Sequence, residues 1–516
     1  PVNKDRGDAH DDHGIDRPSA PFLDSAFANP LFLSVCIRRL NAEGRRAFPL
    51  GLDGATELFN FWIDGVERAL IGRNFARLAL GDGRLREAMR RFSSQLAIEG
   101  VSALPMARAK ALLEEAVADI APATARDILL FRLLDEGVLR REIDRAGVES
   151  VTITFQRFSD YFIADALIDM TGSAPSLAAA LRPGGSLHYL VSRGAGRYAG
   201  VVETLMARTP ERLGLELVEL DADFPRDVPF RLDVFLSSLR WRAPAAVSTR
   251  TVQLFELQWA RTEGRRADLL NLLIQVSTVP DHPLNADYLH ARLRDLPLPE
   301  RDGLIADYLI RHMVEGPIET LMDWAAEART DLAEPERVRL ALVVIAWVTA
   351  SSNRIVRDSA SKTLTAVLSR SPRLMAGLID AFSGVDDAYV RERIYAAVLA
   401  TATHAEVELE ALRRAAIAAW RDVFSRSPVE RHAFIRHHAK GLVELAAARG
   451  VLADEIELAR ARPPYASIPI EQWPEASDLA AFVDTAPDIV SSVVGYYDAE
   501  EGRFSTPGDF GNYTDR

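Results

Sequence analysis

The stretch Ser150-Val-Thr-Ile-Thr-Phe-Gln-Arg-Phe-Ser-Asp-Tyr-Phe-Ile-Ala164 changes from one hydrophobic period to another. Apolar and polar residues alternate from Ser150 to Phe155, which predicts a short strand. From Phe158 to Met170 the apolar residues recur every three or four positions, which predicts an amphipathic helix. Alternating runs of Val, Ile and Thr are scarce elsewhere in the chain, so the sequence predicts a mainly α-helical protein.

The composition of the 516-residue chain is that of a globular protein, with 48% hydrophobic and 26% charged residues. Its net charge of −13 and the lack of a long Lys/Arg run argue against a nucleic-acid-binding surface. The most apolar run, Leu340 to Val348, is half the length that a membrane span requires. Because all of its residues are apolar, it predicts a helix segment that is covered on every side. We therefore expect a cytoplasmic protein with neither a nucleic-acid partner nor a membrane partner.

Metal-binding residues are not grouped in a recognisable pattern. The single cysteine, Cys36, excludes an intrachain disulfide and a thiolate metal site, and its apolar surroundings favour a small buried side chain. His432, His437 and His438 fall on a predicted helix, but no two of them are four residues apart. They therefore lack the spacing that places two histidines on one helix face, and we expect no metal site.

Two segments of the second half resemble each other. Val356-Arg357-Asp358 and Val390-Arg391-Glu392 are offset by 34 residues, and each is followed by an apolar stripe with helical spacing. Stacked helical pairs of this length predict a HEAT-like solenoid, in which each unit buries its stripe against its neighbours. The charged residues of both segments are expected to form ion pairs or helix-end contacts between stacked repeats.

A further segment, Asn29-Pro30-Leu31-Phe32-Leu33, precedes the strand–helix stretch. Alone, it predicts a helix start, with Asn29 as the cap and Pro30 at the first helical position. In this order and spacing, the two segments resemble the end of the ATPase module in STAND NTPases of the NACHT type. The resemblance implies that Pro30 packs against the adenine ring of a bound nucleotide. In many animal NACHT proteins a histidine at the position of Phe155 reaches the ADP phosphate, and we do not assign that role to Phe155.

Short stretches along roughly residues 14–513 are similar to prokaryotic antiviral STAND NTPases, chiefly to their helical arm. These stretches are Gly200-Val-Val-Glu-Thr-Leu205, Pro210-Glu211, Ser237-Ser-Leu-Arg-Trp-Arg242, His282-Pro-Leu-Asn-Ala286, Arg301-Asp302, Asn353-Arg-Ile-Val-Arg-Asp358, Val385-Asp-Asp-Ala-Tyr-Val-Arg-Glu-Arg393 and Gly508-Asp-Phe-Gly-Asn-Tyr513. Their common order carries the resemblance more than any one of them does.

The predicted fold class is mainly α: a helical domain and a winged-helix domain, followed by an α-solenoid arm of HEAT-like repeats. The predicted regions are the end of the NACHT ATPase module at 1–75, the winged-helix domain at 76–175, the helical sensor arm at 176–330, the HEAT-like repeats at 331–450 and a loop-rich C-terminal segment at 451–516.

The chain contains no G-x-x-x-x-G-K-[ST] phosphate loop and no Gly-Lys dipeptide. Phosphoryl transfer by this chain alone therefore has no physical basis, and we interpret it as a C-terminal fragment of a larger signalling ATPase. The resemblance implies a parent protein that binds ATP or ADP with Mg²⁺, senses a protein ligand such as a phage protein, oligomerises and activates an effector in antiviral defence. No nucleotide is expected to bind tightly to this chain alone.

Two other functions compete with this interpretation. A non-enzymatic α-solenoid adaptor that binds protein partners would explain the repeats, the acidity and the missing loop, but not the Pro30 segment followed by a winged helix. A winged-helix DNA-binding regulator is weakened by charge. Its expected recognition surface, residues 133–145, holds Arg140, Arg141 and Arg145 together with four acidic residues.

Overall fold

The structure, a computed structural model, describes most of the chain. The described residues are 40–41, 43–44, 55–72, 83–119, 129–143, 147–192, 195–220, 228–261, 265–312, 316–327, 333–404, 406–465, 476–498, 500–501 and 503–504. Pro30, Cys36 and residues 508–513 lie outside these ranges. The adenine contact of Pro30 and the burial of Cys36 therefore stay predictions.

The first described part is a helix followed by a unit of mixed helices and strands. In chain order its elements are α1 (Ala55–Gly72), α2 (Arg84–Glu99), β1 (Leu104–Pro105), α3 (Met106–Ala116), α4 (Leu129–Asp135), β2 (Leu139–Ile143), β3 (Glu149–Ile153) and α5 (Gln156–Thr171). Only Thr154 and Phe155 separate β3 from α5, so the predicted strand that runs directly into a helix is confirmed.

The three strands form one antiparallel sheet in the order β1-β3-β2. Leu104 pairs with Val151, and Leu139 pairs with Ile153, so that the central strand β3 has a partner on each side. These four side chains are buried against the helices. We call the antiparallel pair β2 and β3, which follows helices α2 to α4, the wing; that the unit is a winged-helix domain stays a prediction. The sequence did not predict β1, because two residues are too short to show an alternating pattern.

The surface expected for DNA recognition is not one element. The described part of residues 133–145 divides between the end of α4 and strand β2, and the strand leaves Arg140 and Arg141 exposed. The helix that precedes this strand, α4, carries a single arginine, Arg132. The described arginines of the expected surface therefore belong to strand β2 and not to a helix. Arg145 lies outside the described residues.

Between α5 and residue 465, the regular elements of the described chain are all helices. They are α6 (Ala174–Leu181), α7 (Ala199–Leu213), α8 (Val228–Leu239), α9 (Thr249–Arg261), α10 (Arg266–Val276), α11 (Ala286–Arg294), α12 (Leu298–Arg301), α13 (Asp307–His312), α14 (Pro317–Glu327), α15 (Pro335–Val348), α16 (Arg354–Arg370), α17 (Met375–Phe382), α18 (Ala388–Ala402), α19 (Leu409–Ala419) and α20 (Ala433–Ala448). Side-chain oxygens of Asn285, Asn353 and Asp387 cap three of them by accepting a backbone N–H.

From α15 onward the helices pack in two rows. Helices α15, α17 and α19 contact one another in succession in one row, and α16, α18 and α20 do so in the other. The two segments that resemble each other in sequence fall on α16 and α18, which lie side by side. Every residue of 340–348 in α15 is at most 3% exposed, as the sequence predicted. The prediction that these pairs are HEAT-like repeats stays a prediction.

The C-terminal segment contains more regular structure than the sequence predicted. Two helices, α21 (Ala476–Leu479) and α22 (Pro487–Val494), precede a short antiparallel pair of β4 (Tyr497–Asp498) and β5 (Arg503–Phe504). The protein is thus mainly α-helical, which confirms the predicted class. Within the described ranges, no helix combines the length and the apolar composition that crossing a bilayer requires.

Candidate functional site

An aromatic cluster joins α1 to α5. The rings of Trp62 and Phe158 stack with centroids 4.2 Å apart, and Phe59 lies 4.1 Å from Tyr161 and 4.5 Å from Phe158. Phe155 closes the cluster, 5.5 Å from Phe158 in an edge-to-face arrangement. Such pairs are worth about 0.5–1.5 kcal/mol each beyond their buried area. Phe155 is therefore a buried packing residue.

A cleft opens beside this cluster, where α1, α5, α7 and the end of α8 meet. Its enclosed volume is about 20 Å³, which is room for about one water molecule. The residues that line it are Thr56, Phe59, Arg157, Thr204, Ala207, Arg208, Glu211 and Trp241. The cleft therefore lies where α1, α5 (the last helix of the mixed unit) and α7 meet.

Arg208, on α7, binds partners on α1 and α5 and on its own helix. Its Nη2 lies 2.8 Å from Oδ1 of Asp165 on α5, and its Nη1 lies 2.5 Å from Oε2 of Glu211 on α7. Nη1 also donates to Oγ1 of Thr56 on α1 at 2.7 Å, and this hydroxyl donates to Glu211 at 3.0 Å. The guanidinium is almost fully buried. Burial opposes its charge, but the surrounding negative groups outweigh burial and raise the pKa of Arg208.

The ring of Tyr161 forms one wall of the Arg208 site. The guanidinium carbon Cζ of Arg208 lies 5.0 Å from the centroid of this ring, within the range of a cation–π contact. Burial raises the pKa of the Tyr161 phenol to about 12, so the hydroxyl stays protonated in the neutral range.

The ion pairs continue from Arg208 to α2. Arg212 lies one turn further along α7 and donates to Asp169 on α5 at 2.7 Å. Asp169 is also 3.7 Å from Nη1 of Arg90 on α2, and Arg90 binds Glu87 at 2.7 Å. The hydrogen bond from Arg90 is the main reason that the pKa of Glu87 falls to about 2. Together these contacts link α1, α2, α5 and α7.

A second arginine, Arg157, closes the other side of the cleft. Its Cζ lies 5.0 Å from the ring centroid of Trp241, and its Nη1 lies 3.0 Å from Oε1 of the buried Glu203. The contact connects α5 with α7 and with the chain that follows α8. Because both arginines of the cleft already bind carboxylates, neither offers an uncompensated positive charge to a ligand.

The carboxyl group of Asp160 is buried beneath the cleft against the start of α7. It accepts a hydrogen bond from Nε2 of Gln156 at 2.8 Å and lies against the backbone of Gly200. Burial is the main reason that its pKa rises from 3.8 to about 6, and the neighbouring Glu203 adds to the rise while Arg157 opposes it. Asp160 is therefore the group near the cleft whose charge changes at mildly acidic pH.

The donor set of the described residues does not fit a nucleotide with its Mg²⁺ ion. The two cleft arginines are occupied by carboxylates, and within the described ranges no three His, Cys, Asp or Glu side chains are grouped to hold a metal ion. We therefore assign no nucleotide-dependent step to these residues. The arrangement can instead hold three helices in one relative position and release them when its hydrogen bonds break.

Three further arginines from the sequence motifs are buried among the helices that follow α7: Arg242, Arg301 and Arg391. Arg242 forms a two-pronged ion pair with Glu216 at 2.6 and 2.9 Å. The guanidinium of Arg301 donates to backbone carbonyls at the end of α11 and before α18. Arg391 on α18 binds Asp422 and Glu430 of the next helical pair at 2.9 and 2.6 Å, which confirms the predicted ion pairs between stacked helices.

The other predicted contact, at Arg357 and Asp358, has a different form. The Cζ of Arg357 lies 5.1 Å from the ring of Tyr389 on the neighbouring helix α18, so it contacts the next helix through an aromatic ring. Asp358 pairs with Arg354 of its own helix at 3.5 Å. Of the histidines considered as metal ligands, His432 caps α20, and its Nδ1 accepts the N–H of Ile435 at 3.4 Å.

Comparison with models of protein families, with curated proteins and with solved structures found no match to this chain. Function therefore has to follow from the fold, the cleft and the sequence motifs. The sequence motifs quoted above include the cleft residues Glu211 and Trp241. They do not include Arg208, Thr56 or Asp165. These three are far apart in the sequence, and no local pattern distinguishes a buried arginine in a helix from an exposed one.

Proposed function

We propose that this chain is the regulatory and sensor part of a STAND NTPase of the NACHT type. In the parent protein, recognition of a phage component or another foreign component would be coupled to nucleotide-dependent oligomerisation and effector activation in antiviral defence. ATP or ADP with Mg²⁺ would bind to the parent protein, with Pro30 against the adenine. The parent protein would be cytoplasmic.

The observation that carries the proposal is the arrangement of three successive units around one cleft. A helix that precedes the mixed unit, the last helix of that unit and the first long helix of the arm all bind Arg208. A change in the arm can therefore reach the first helix through one charged group. In a two-state switch, such a contact is where a closed and an assembled state would differ.

The first test is the reading frame upstream of Pro1. The proposal expects a G-x-x-x-x-G-K-[ST] loop in frame within roughly 300 codons, the length of one or two domains. A start codon directly before Pro1, with no such loop in frame, would contradict the proposal. The nucleotide contact of Pro30 would then be abandoned.

The second test uses the natural full-length protein and changes the Arg208 contact. Thr56→Val keeps the shape of the side chain but removes its hydrogen bonds to Arg208 and Glu211. In the proposed switch this contact stabilises the closed state. A hydrogen bond to a charged group is worth about 1.5–3 kcal/mol, so its loss should let the variant assemble with roughly tenfold less activating ligand. Assembly is followed by light scattering after size-exclusion chromatography, with ATP and a panel of phage proteins as ligands.

A matched control for this test is Arg250→Met. Arg250 forms an ion pair with Glu219 at 2.5 Å but is not among the residues that line the cleft. The control should leave the ligand threshold unchanged. An equal threshold in the Thr56→Val variant and the wild type would remove the cleft from the proposed switch.

A second candidate function is a non-enzymatic α-solenoid adaptor for protein partners. It is favoured by exposed apolar residues at the starts of α16 and α20. Ile355 and Phe434 are 79% and 60% exposed. Exposed apolar groups of this size commonly mark protein interaction sites when they are clustered. The adaptor function becomes the main candidate if the upstream reading frame lacks the phosphate loop.

A further inference from the structure

Helices α16, α18 and α20, which form one of the two rows, each begin with an exposed apolar side chain. Ile355, Tyr389 and Phe434 are the second residues of α16, α18 and α20. They are 79%, 37% and 60% exposed, respectively. We call these three residues the ridge. Each repeats the same position in successive helices, so the ridge is a feature of the row and not of one helix.

The starts of these helices lie at the same end of the row. The Cζ of Arg357 near the start of α16 is 5.1 Å from the ring of Tyr389, and Nε2 of His432 before α20 is 3.9 Å from Glu392 on α18. Packed helices are usually about 8–10 Å apart, so the ridge extends over about 20 Å. That length suits a short peptide segment better than a small molecule.

Arginine side chains surround the ridge. Arg354 and Arg393 each have a carboxylate partner on their own helix, whereas Arg357 and Arg431 form no ion pair with any residue in the described ranges. The N-terminal ends of the three helices add partial positive charge at the same place. Carboxylates at the same helix starts, among them Asp358 and Glu430, pair with other arginines, so the charge available to a partner beside the ridge is that of Arg357 and Arg431.

The C-terminal segment has the opposite charge and the same apolar character. We call residues 476–504 the tail. It carries six acidic residues and one arginine. Phe482, Ile489 and Tyr496 within it are 55%, 68% and 78% exposed. Because all three fall within one short segment, they offer an apolar surface to a partner.

We propose that the tail of one copy of this chain docks on the ridge of a second copy. The apolar side chains of the tail would cover Ile355, Tyr389 and Phe434, and its carboxylates would face Arg357 and Arg431. A second copy is favoured over the same chain because the tail's three apolar side chains are exposed within their own chain. The contact goes beyond the proposed function and does not depend on it, since no nucleotide takes part.

The two surfaces of this contact differ, so it is a head-to-tail contact that can continue into a ring or an open chain of copies. Three anchors on each side bury less area than a standard protein interface. The dissociation constant is therefore expected on the order of 10–100 µM. Because charges are complementary, the association should weaken with added salt.

The test mixes two variants of the full 516-residue chain. The ridge variant carries Ile355→Ser, Tyr389→Ser and Phe434→Ser, and keeps its tail. The tail variant carries Phe482→Ser, Ile489→Ser and Tyr496→Ser, and keeps its ridge. Each variant alone should be monomeric in sedimentation velocity, whereas an equal mixture should form a dimer, because one intact ridge meets one intact tail.

A matched control checks that the loss of association is local. Met170 and Ile310 are 51% and 58% exposed and lie outside the ridge and the tail, so the Met170→Ser/Ile310→Ser variant should associate like the wild type. The Arg357→Gln/Arg431→Gln variant should raise the dissociation constant roughly tenfold at low salt. Circular dichroism verifies that every variant keeps its helix content.

Three results would overturn the proposal. The first is a wild-type chain that stays monomeric at concentrations well above the expected dissociation constant. The second is an equal mixture of the ridge and tail variants that forms no dimer. The third is binding of a synthetic peptide of residues 476–504 to the tail variant while the wild-type chain stays monomeric. The tail would then dock within its own chain.

Discussion

A Cβ atom on Gly200 would lie 2.0 Å from Oδ2 of Asp160. Helix α7 can therefore approach α5 this closely only because residue 200 has no side chain. The contact places Thr204, Arg208 and the rest of α7 at the cleft. It gives a physical reason for the glycine in the segment Gly200-Val-Val-Glu-Thr-Leu205, which also carries part of the resemblance to the helical arm of STAND NTPases.

Gly200→Ala should destabilise the packing of α5 on α7 by about 1–3 kcal/mol, because an overpacked buried contact forces its neighbours to move. The additional change Asp160→Ala should recover part of this loss, since it removes the atoms that clash. Native-state hydrogen exchange in α5 and α7 measures both effects.

Gly196→Ala is the matched control, because nothing lies within 4 Å of the added Cβ there. It should change the free energy of opening by no more than about 0.5 kcal/mol. Strictly additive effects of Gly200→Ala and Asp160→Ala would show that the two residues do not interact, and would contradict the prediction.

The raised pKa of Asp160 predicts a specific dependence of stability on pH. Its pKa is about 6 in the folded protein, against an ordinary value of 3.8, so the folded state favours the protonated form. The stabilisation is complete below pH 3.8 and is lost as the pH rises to about 6. The loss amounts to about 3 kcal/mol at most.

The Asp160→Asn variant removes this titration while keeping the size of the side chain. The difference in free energy of unfolding between the variant and the wild type should grow in favour of the variant from about pH 4 to about pH 6 and then stay constant. Urea unfolding followed by tryptophan fluorescence provides the measurement. Parallel pH profiles for the two proteins would mean that the pKa of Asp160 is not raised.

The buried pair of Arg391 and Asp422 predicts a large effect of one substitution. Arg391→Met leaves the buried carboxylate of Asp422 with only the more distant and more exposed Arg426, 3.5 Å away, and should cost about 3 kcal/mol in the opening of α18 and α20. Burial opposes the charge of Asp422, but Arg391 and the hydroxyl donors around it keep its pKa below the usual 3.8. The stabilising effect of the pair is therefore present above pH 3.8 and is lost as the pH falls below it.

An exposed pair gives the comparison. Arg354 and Asp358 lie 3.5 Å apart with side chains 86% and 49% exposed, so Arg354→Met should change stability by less than about 0.5 kcal/mol. Arg391→Met/Asp422→Asn should be more stable than Arg391→Met alone, because it removes the more deeply buried of the two carboxylates that Arg391 binds. Equal costs for Arg354→Met and Arg391→Met, measured by hydrogen exchange in α16 and α18, would refute the assigned role of Arg391.

The parts of the fold that could be predicted are those that the local sequence encodes. The change of hydrophobic period near residue 155 predicted β3 and α5, and the all-apolar residues 340–348 predicted a helix buried on every side. The contacts of Arg208 could not be predicted, because its partners Thr56 and Asp165 are far away in the chain and come close only through tertiary packing. For the same reason the sequence showed no sign that exposed side chains align in the ridge.

The charge pattern of the wing predicts that this protein does not bind DNA. Arg140 lies 2.5 Å from Glu142, and Arg141 lies 3.7 Å from Glu149, so each cation of β2 has a neighbouring carboxylate. Fluorescence anisotropy with a labelled duplex should show no binding that weakens between about 50 mM and about 200 mM salt.

The variant Glu142→Gln/Glu149→Gln leaves both arginines without those partners and tests whether carboxylates alone mask a DNA surface. If this variant also fails to bind, the wing has no DNA-binding geometry. Salt-dependent binding by the wild type would contradict the prediction and support the regulator function.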